Sequence, residues 1–220
     1  MVNPDSPAAE GKTPRKRQRR IQERTEIARA NLINAATPMF AERGFEAVSV
    51  RDIEDAAGLK RGLLAYHFGS KETLWKATAD AMFFELFTNI GQRLAILKDL
   101  SKRDSVALLI RFHVRYYAEH PELSRLMSQE GRQNSWRIQY LVEKHIAPSI
   151  ESIKGNIVEG LDLTERQFAH WYYIMVSASA TIFSFSPECE ILFGFSPCEE
   201  SVVEQHAEML VSMLLGNRSD

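Results

Sequence analysis

The chain has only two cysteines, Cys189 and Cys198, nine positions apart, with no CxxC pairing and no nearby histidine at metal-ligand spacing. That excludes a disulfide framework and a zinc-ribbon pattern, and fits reduced thiols in a cytoplasmic protein. Long apolar runs are lacking too. The most hydrophobic stretch, Trp171 to Phe185, covers about fifteen residues and is broken by serines, short of the ~20 that a membrane span needs. The basic N-terminus is followed by no apolar segment of the secretory kind. HExxH, a phosphate-binding glycine loop and a nucleophile elbow are all missing, and the six histidines form no recognisable pair. Neither an enzyme, a metal site, a cofactor nor a membrane partner is therefore expected. Strand-like alternation and internal repeats are absent as well.

What remains is helical. Hydrophobic residues make up 45% and charged residues 25% of 220 positions, enough for a sizeable core. The net charge of −2 hides an asymmetry: residues 1–75 carry 13 Lys/Arg against 10 Asp/Glu, and residues 76–220 carry 14 against 19. The front third is basic and the rest acidic. Residues 1–24 hold prolines and a cluster of Arg15, Lys16, Arg17, Arg19 and Arg20 with little to bury. They read as a disordered basic arm, placed to enter a minor groove if a DNA-reading module follows.

From Thr25, Ile27, Ala28, Leu32, Ala35, Ala36, Met39 and Phe40 recur at helical spacing until Arg43-Gly44, with a kink predicted at Pro38. Ser49 and Asp52 form a capping-box pattern for a short helix carrying Val50, Ile53, Ala56 and Ala57 inward, which Gly58 ends. A turn and a second short helix over Lys60 to Phe68 complete a helix-turn-helix, and Ser70 caps a long helix towards Leu97. Such a second helix fits a major groove. Lys60 and Arg61 at its start oppose the helix dipole, which a phosphate or guanine partner would explain. Gly62 allows close backbone approach. Tyr66 and His67 offer donors at the far end, and Lys71 follows at the next helix's N-terminus.

Residues 25–82, through PMFAERGFEAVSV, RDIEDAAGL and KRGLLAYHFGSKETLW, resemble the DNA-binding domain of the tetracycline-repressor (TetR) family of bacterial transcription regulators. The resemblance implies phosphate contacts at Ser49 and Lys71, DNA-backbone contacts at Tyr66 and His67, and a core anchor at Phe68. Leu63 stands where the family usually has a small hydroxyl residue and Ala65 where tyrosine is common; Leu63 can instead pack on a thymine methyl. The implied fold is all-α, with an N-terminal helix-turn-helix DNA-binding domain and, over residues 83–220, a helical effector-binding and dimerisation domain. The implied function is a repressor that binds a palindromic double-stranded DNA operator as a homodimer and responds to a small organic effector.

In the C-terminal part, helices are predicted over Val106 to Tyr117, Glu122 to Gly131, residues 135–159 with a kink at Pro148, Thr164 to Phe185, and from a cap at Ser196 to Gly216. Trp171 to Phe185 and Val202 to Leu214 carry more apolar surface than one protomer readily buries, which suits a two-fold four-helix interface. Candidate effector residues are Phe112, His113, Tyr116, Met127, Glu130, Trp136, Tyr140, Trp171 and Met175, large apolar walls with a few polar groups. A DNA-bound adaptor that recruits a protein partner without an effector shares every DNA-binding feature. A sealed C-terminal core favours that alternative, and a well-formed cavity favours ligand sensing.

Overall fold

The computed structural model describes residues 14–96 and 100–216 and contains no strand among them. Eleven helices are described: α1 (Pro14–Ala47), α2 (Val50–Ala56), α3 (Leu63–Phe68), α4 (Lys71–Ile96), α5 (Lys102–Glu119), α6 (Pro121–Glu130), α7 (Trp136–Leu141), α8 (Ala147–Leu161), α9 (Glu165–Ser184), α10 (Ser186–Phe193) and α11 (Glu200–Leu215). A π-turn, Val142–Ile146, joins α7 to α8. None of these helices is long and apolar enough to cross a membrane.

The local signals explain most boundaries. Gly44 has a left-handed φ of 75° and breaks the helical path near the end of α1. A Cβ there would stand 2.5 Å from the Gln129 side chain, whose amide donates to the Ala41 carbonyl at 2.7 Å. The left-handed dihedral favours glycine here, and a Cβ would displace the Gln129 side chain with which α6 caps α1 from outside. Ser49 and Asp52 cap α2 reciprocally, Ser70 Oγ accepts from Thr73 at the start of α4, and Thr164 with Gln167 closes a capping box on α9.

Several expectations are corrected. Residues 14–24, assigned to the disordered arm, continue as the first turns of α1; residues 1–13 of that arm lie outside the described residues. Pro38 produces no break in the helical dihedrals: it lies on the exposed side of α1, where the carbonyl it leaves unpaired can meet water. Ile27, expected inside, is exposed. The interruption expected at Pro148 occurs one turn earlier, as the π-turn, and Pro148 sits in the first turn of α8. Ser196 does not cap α11, whose N-cap is Glu199. An unanticipated helix, α10, follows α9 and has its proline in its first turn.

One continuous core runs through both ends of the molecule. In the head, Leu32, Ala36, Phe40, Ile53, Leu64, Phe68, Leu74 and Trp75 are buried across α1 to α4. In the body, the stripe expected on α5 (Val106, Leu109, Ile110, His113, Tyr116, Tyr117) is buried, packed against α8, α9 and α11. Helix α4 passes through residue 82 without interruption. Head and body therefore share a rigid element.

Candidate nucleic-acid interface

Helix α3 is only six residues long and begins at Leu63, not at Lys60. Lys60 and Arg61 lie in the turn before it, exposed, so they do not face the helix dipole from inside the first turn as the sequence suggested. Gly62 is the N-cap with φ of 86° and supplies no side-chain cap. Its role is the left-handed turn conformation.

The missing cap comes from α2. Glu54 is 3% exposed, and its carboxylate accepts the Leu64 N–H at 2.8 Å. A charge-assisted bond to a helix's second amide satisfies an orphan donor and favours the positive helix end. The angle between α2 and α3 is thereby tied by one buried hydrogen bond. Sequence reasoning missed Glu54: Val50 and Ala56, expected inward, are exposed, and the residues that α2 buries are Ile53 and Glu54.

Lys71 points inward. Its Nζ donates to the carbonyls of Phe45 at 2.7 Å and Val48 at 2.9 Å and lies 4.1 Å from the centre of the Phe45 ring. The ammonium pins the connector between α1 and α2, and so the position of the Ser49 cap. At the far end of α3, Arg29 donates to the His67 carbonyl and stacks 4.1 Å from the Phe68 ring centre. Phe68 is buried, as an anchor should be. What these ties leave facing outward is Ser49, Lys60, Arg61, Gly62, Ala65 and Tyr66, the last 76% exposed, with Leu63 and His67 half-buried beside them. Tyr66 and His67 meet edge to face at 4.9 Å.

Residues 32–78 match the family model described as bacterial regulatory proteins, tetR family. The DNA-binding domain belongs to the TetR family. Over 46 residues, 21% of this chain and 22% of the relative, the TetR-type segment is 52% identical to the HTH-type transcriptional repressor KstR2 of Rhodococcus jostii. A longer match, 32% identical over 114 residues, covers 49% of this chain and 53% of the HTH-type transcriptional regulatory protein RaaS of Mycobacterium tuberculosis. The chain thus spans about a fifth to a half of the length of these curated relatives. The fold extends further: the fatty acid degradation regulator FadR from Bacillus halodurans superposes with a TM-score of 0.64 at 16% identity, over 87% of this chain and 96% of that one.

The nine expected effector residues fall into two groups. Phe112, His113, Tyr116, Trp171 and Met175 are buried on α5 and α9. His113 Nδ1 lies 2.8 Å from the Leu109 carbonyl, and burial pushes its pKa below the ordinary value. Tyr116 donates to the Met82 carbonyl at 3.2 Å, and burial drives its pKa up. Trp171 Nε1 is the one buried side-chain polar atom without a hydrogen-bond partner among the described residues.

The other group sits at the junction of head and body. Trp136 meets Phe45 at 5.5 Å and Trp75 at 5.2 Å, both edge to face. Glu130, 3% exposed, accepts from Arg137 Nε at 2.7 Å, and Arg137 also donates to Glu46 at 3.1 Å. Glu130 therefore neutralises a buried guanidinium. Tyr140 donates to Asp80 at 2.7 Å, and Met127 packs half-buried against the core.

None of the nine lines the open cleft of about 670 Å³ between α4 and the π-turn, whose walls include Asp80, Ala81, Phe84, Phe87, Lys144 and His145.

Proposed function

We propose that the protein is a transcriptional repressor that binds a palindromic operator as a homodimer and is released by a small organic effector. The observation that carries the reading is the outward face of the turn and α3. Ser49, Lys60, Arg61, Ala65 and Tyr66 are exposed together, while Glu54, Lys71 and Arg29 tie the same segment down from inside. A preformed reading surface loses little order on meeting a major groove. The repressor relatives of the domain support the DNA-binding part. Homodimerisation is supported by uncovered apolar side chains on α9 (Tyr173, Ile174) and α11 (Met209, Met213), the two helices whose surface exceeded one protomer's needs. Ligand response is supported by the buried, unpartnered indole N–H of Trp171, which an effector's acceptor oxygen would satisfy.

Selection from a randomised duplex library tests the reading. An inverted repeat is expected, with half-site centres about 10 base pairs or a multiple apart, and log affinity should fall steeply with log salt. Arg61→Ala should relax preference at one symmetric pair of positions, by ~1–3 kcal/mol if Arg61 reads guanine. A flat salt response, or a selected site without symmetry, would sink it. Trp171→Phe should blunt effector response while leaving operator affinity in place.

A further inference from the structure

Asp80, on α4, gathers three donors from the α7/π-turn segment: Tyr140 hydroxyl at 2.7 Å, Lys144 Nζ at 2.7 Å and His145 Nε2 at 2.8 Å. In a regular α-helix Tyr140 and Lys144 share a face, whereas His145, five positions after Tyr140, stands well round the cylinder. The π-turn, with Ala147 N–H donating to the Val142 carbonyl, brings it back. The same extra residue exposes Val142 and buries His145. The ring of His145 stacks on Phe83 at 4.7 Å, nearly parallel.

The Lys144 ammonium rests on one carboxylate, donates to the Tyr140 hydroxyl at 2.8 Å and lies 5.1 Å from the Tyr140 ring centre. A carboxylate with an adjacent aromatic face is the chemistry that recognises an organic cation. Lys144 is thus a tethered occupant of such a site, and its side chain is half exposed, free to swing into water. Beyond it, the cleft offers apolar wall that Lys144 does not cover: Ala81, Phe87 and Phe84, the last 72% exposed. Asp80 is the one acidic residue among the cleft's lining residues.

We propose that this cleft is a binding site for a lipophilic organic ammonium, which takes Asp80 in place of Lys144 and lays its apolar part on Phe84 and Phe87. The site is separate from the buried Trp171 region, and its existence does not depend on the repressor reading; only an effect on operator binding would.

Isothermal titration of the full chain at neutral pH with 2-phenylethylammonium, 2-phenylethanol and 3-phenylpropanoate tests it. Saturable binding is expected for the ammonium alone. Lys144→Met removes the tethered competitor and should tighten binding at least tenfold. Asp80→Asn in that background should abolish it, and Phe84→Ala should weaken it several-fold; both Lys144 and Phe84 are exposed enough for the fold to survive. Equal binding of the alcohol or the carboxylate, or no saturable binding to the Lys144→Met chain, overturns the proposal. Binding that leaves operator affinity unchanged upholds the site and detaches it from the switch. Failure of the unliganded chain to bind any duplex overturns the repressor reading and leaves the site standing.

Discussion

The head and the body of this molecule finish their surfaces differently. In the head, local caps fix α2 and α4, and longer-range hydrogen bonds made by Glu54, Lys71 and Arg29 fix what lies between. Its large apolar residues are mostly covered, and among those described only Ile21, Ile27, Val50 and Tyr66 stand exposed on α1 to α3 and the turns between them. The body instead leaves Ile191 84%, Tyr173 71% and Met213 71% exposed on three consecutive helices. Isolated apolar side chains on a surface mean little, but a concentration of them on neighbouring elements marks an incomplete interface. The head covers most of its large apolar side chains, whereas the body leaves large ones exposed on α9, α10 and α11.

The most damaging challenge to that contrast is at the seam. Trp75 is 1% exposed and packs against Trp136 from the body. Trp75→Ala should cost about 3–5 kcal/mol in chemical denaturation. A loss below about 1 kcal/mol would mean that head and body do not share a core there.

Next comes Lys71, which separates an internal pin from a DNA contact. Removing it leaves the carbonyls of Phe45 and Val48 without their charged donor, so Lys71→Ala should lose about 1.5–3 kcal/mol of stability with the salt slope of DNA binding unchanged. Unchanged stability with a slope reduced by about 1 would restore the phosphate-contact role implied by family resemblance.

Glu54 gives a somewhat smaller effect with a sharper control. Glu54→Ala strands the Leu64 amide and should cost about 1–3 kcal/mol together with operator affinity, whereas Glu54→Gln keeps an acceptor oxygen and should retain most of both. Equal losses in the two variants would show that packing, not the hydrogen bond, sets α3.

The smallest expected effect is acid sensitivity on the body side of the seam. Burial raises the pKa of Asp80, but hydrogen bonds from Lys144, Tyr140 and His145 outweigh it, and the net pKa lies below the ordinary 3.8. A depressed carboxylate contributes stability that is present above pH 3.8 and is lost as pH falls through its lower folded value. Asp80→Asn should therefore flatten the acid limb of a stability profile below about pH 4. Partial exposure of the carboxylate keeps the effect modest.

The sequence by itself determined the helical class, the capped starts of α2, α4 and α9, the turn between α2 and α3, and the buried stripe of α5. These depend on hydrogen bonds and side-chain spacing within about four residues, so the determining atoms are neighbours in the chain. Tertiary structure alone decided where long polar side chains ended. Lys71 could reach phosphate or backbone, and the connector brought beside it by α1 holds it on the Phe45 and Val48 carbonyls. Glu130 met Arg137, whose guanidinium also reaches Glu46 across the seam. The π-turn brings His145 to Asp80, some sixty residues earlier in the chain. No periodicity within the segment could reveal that partner.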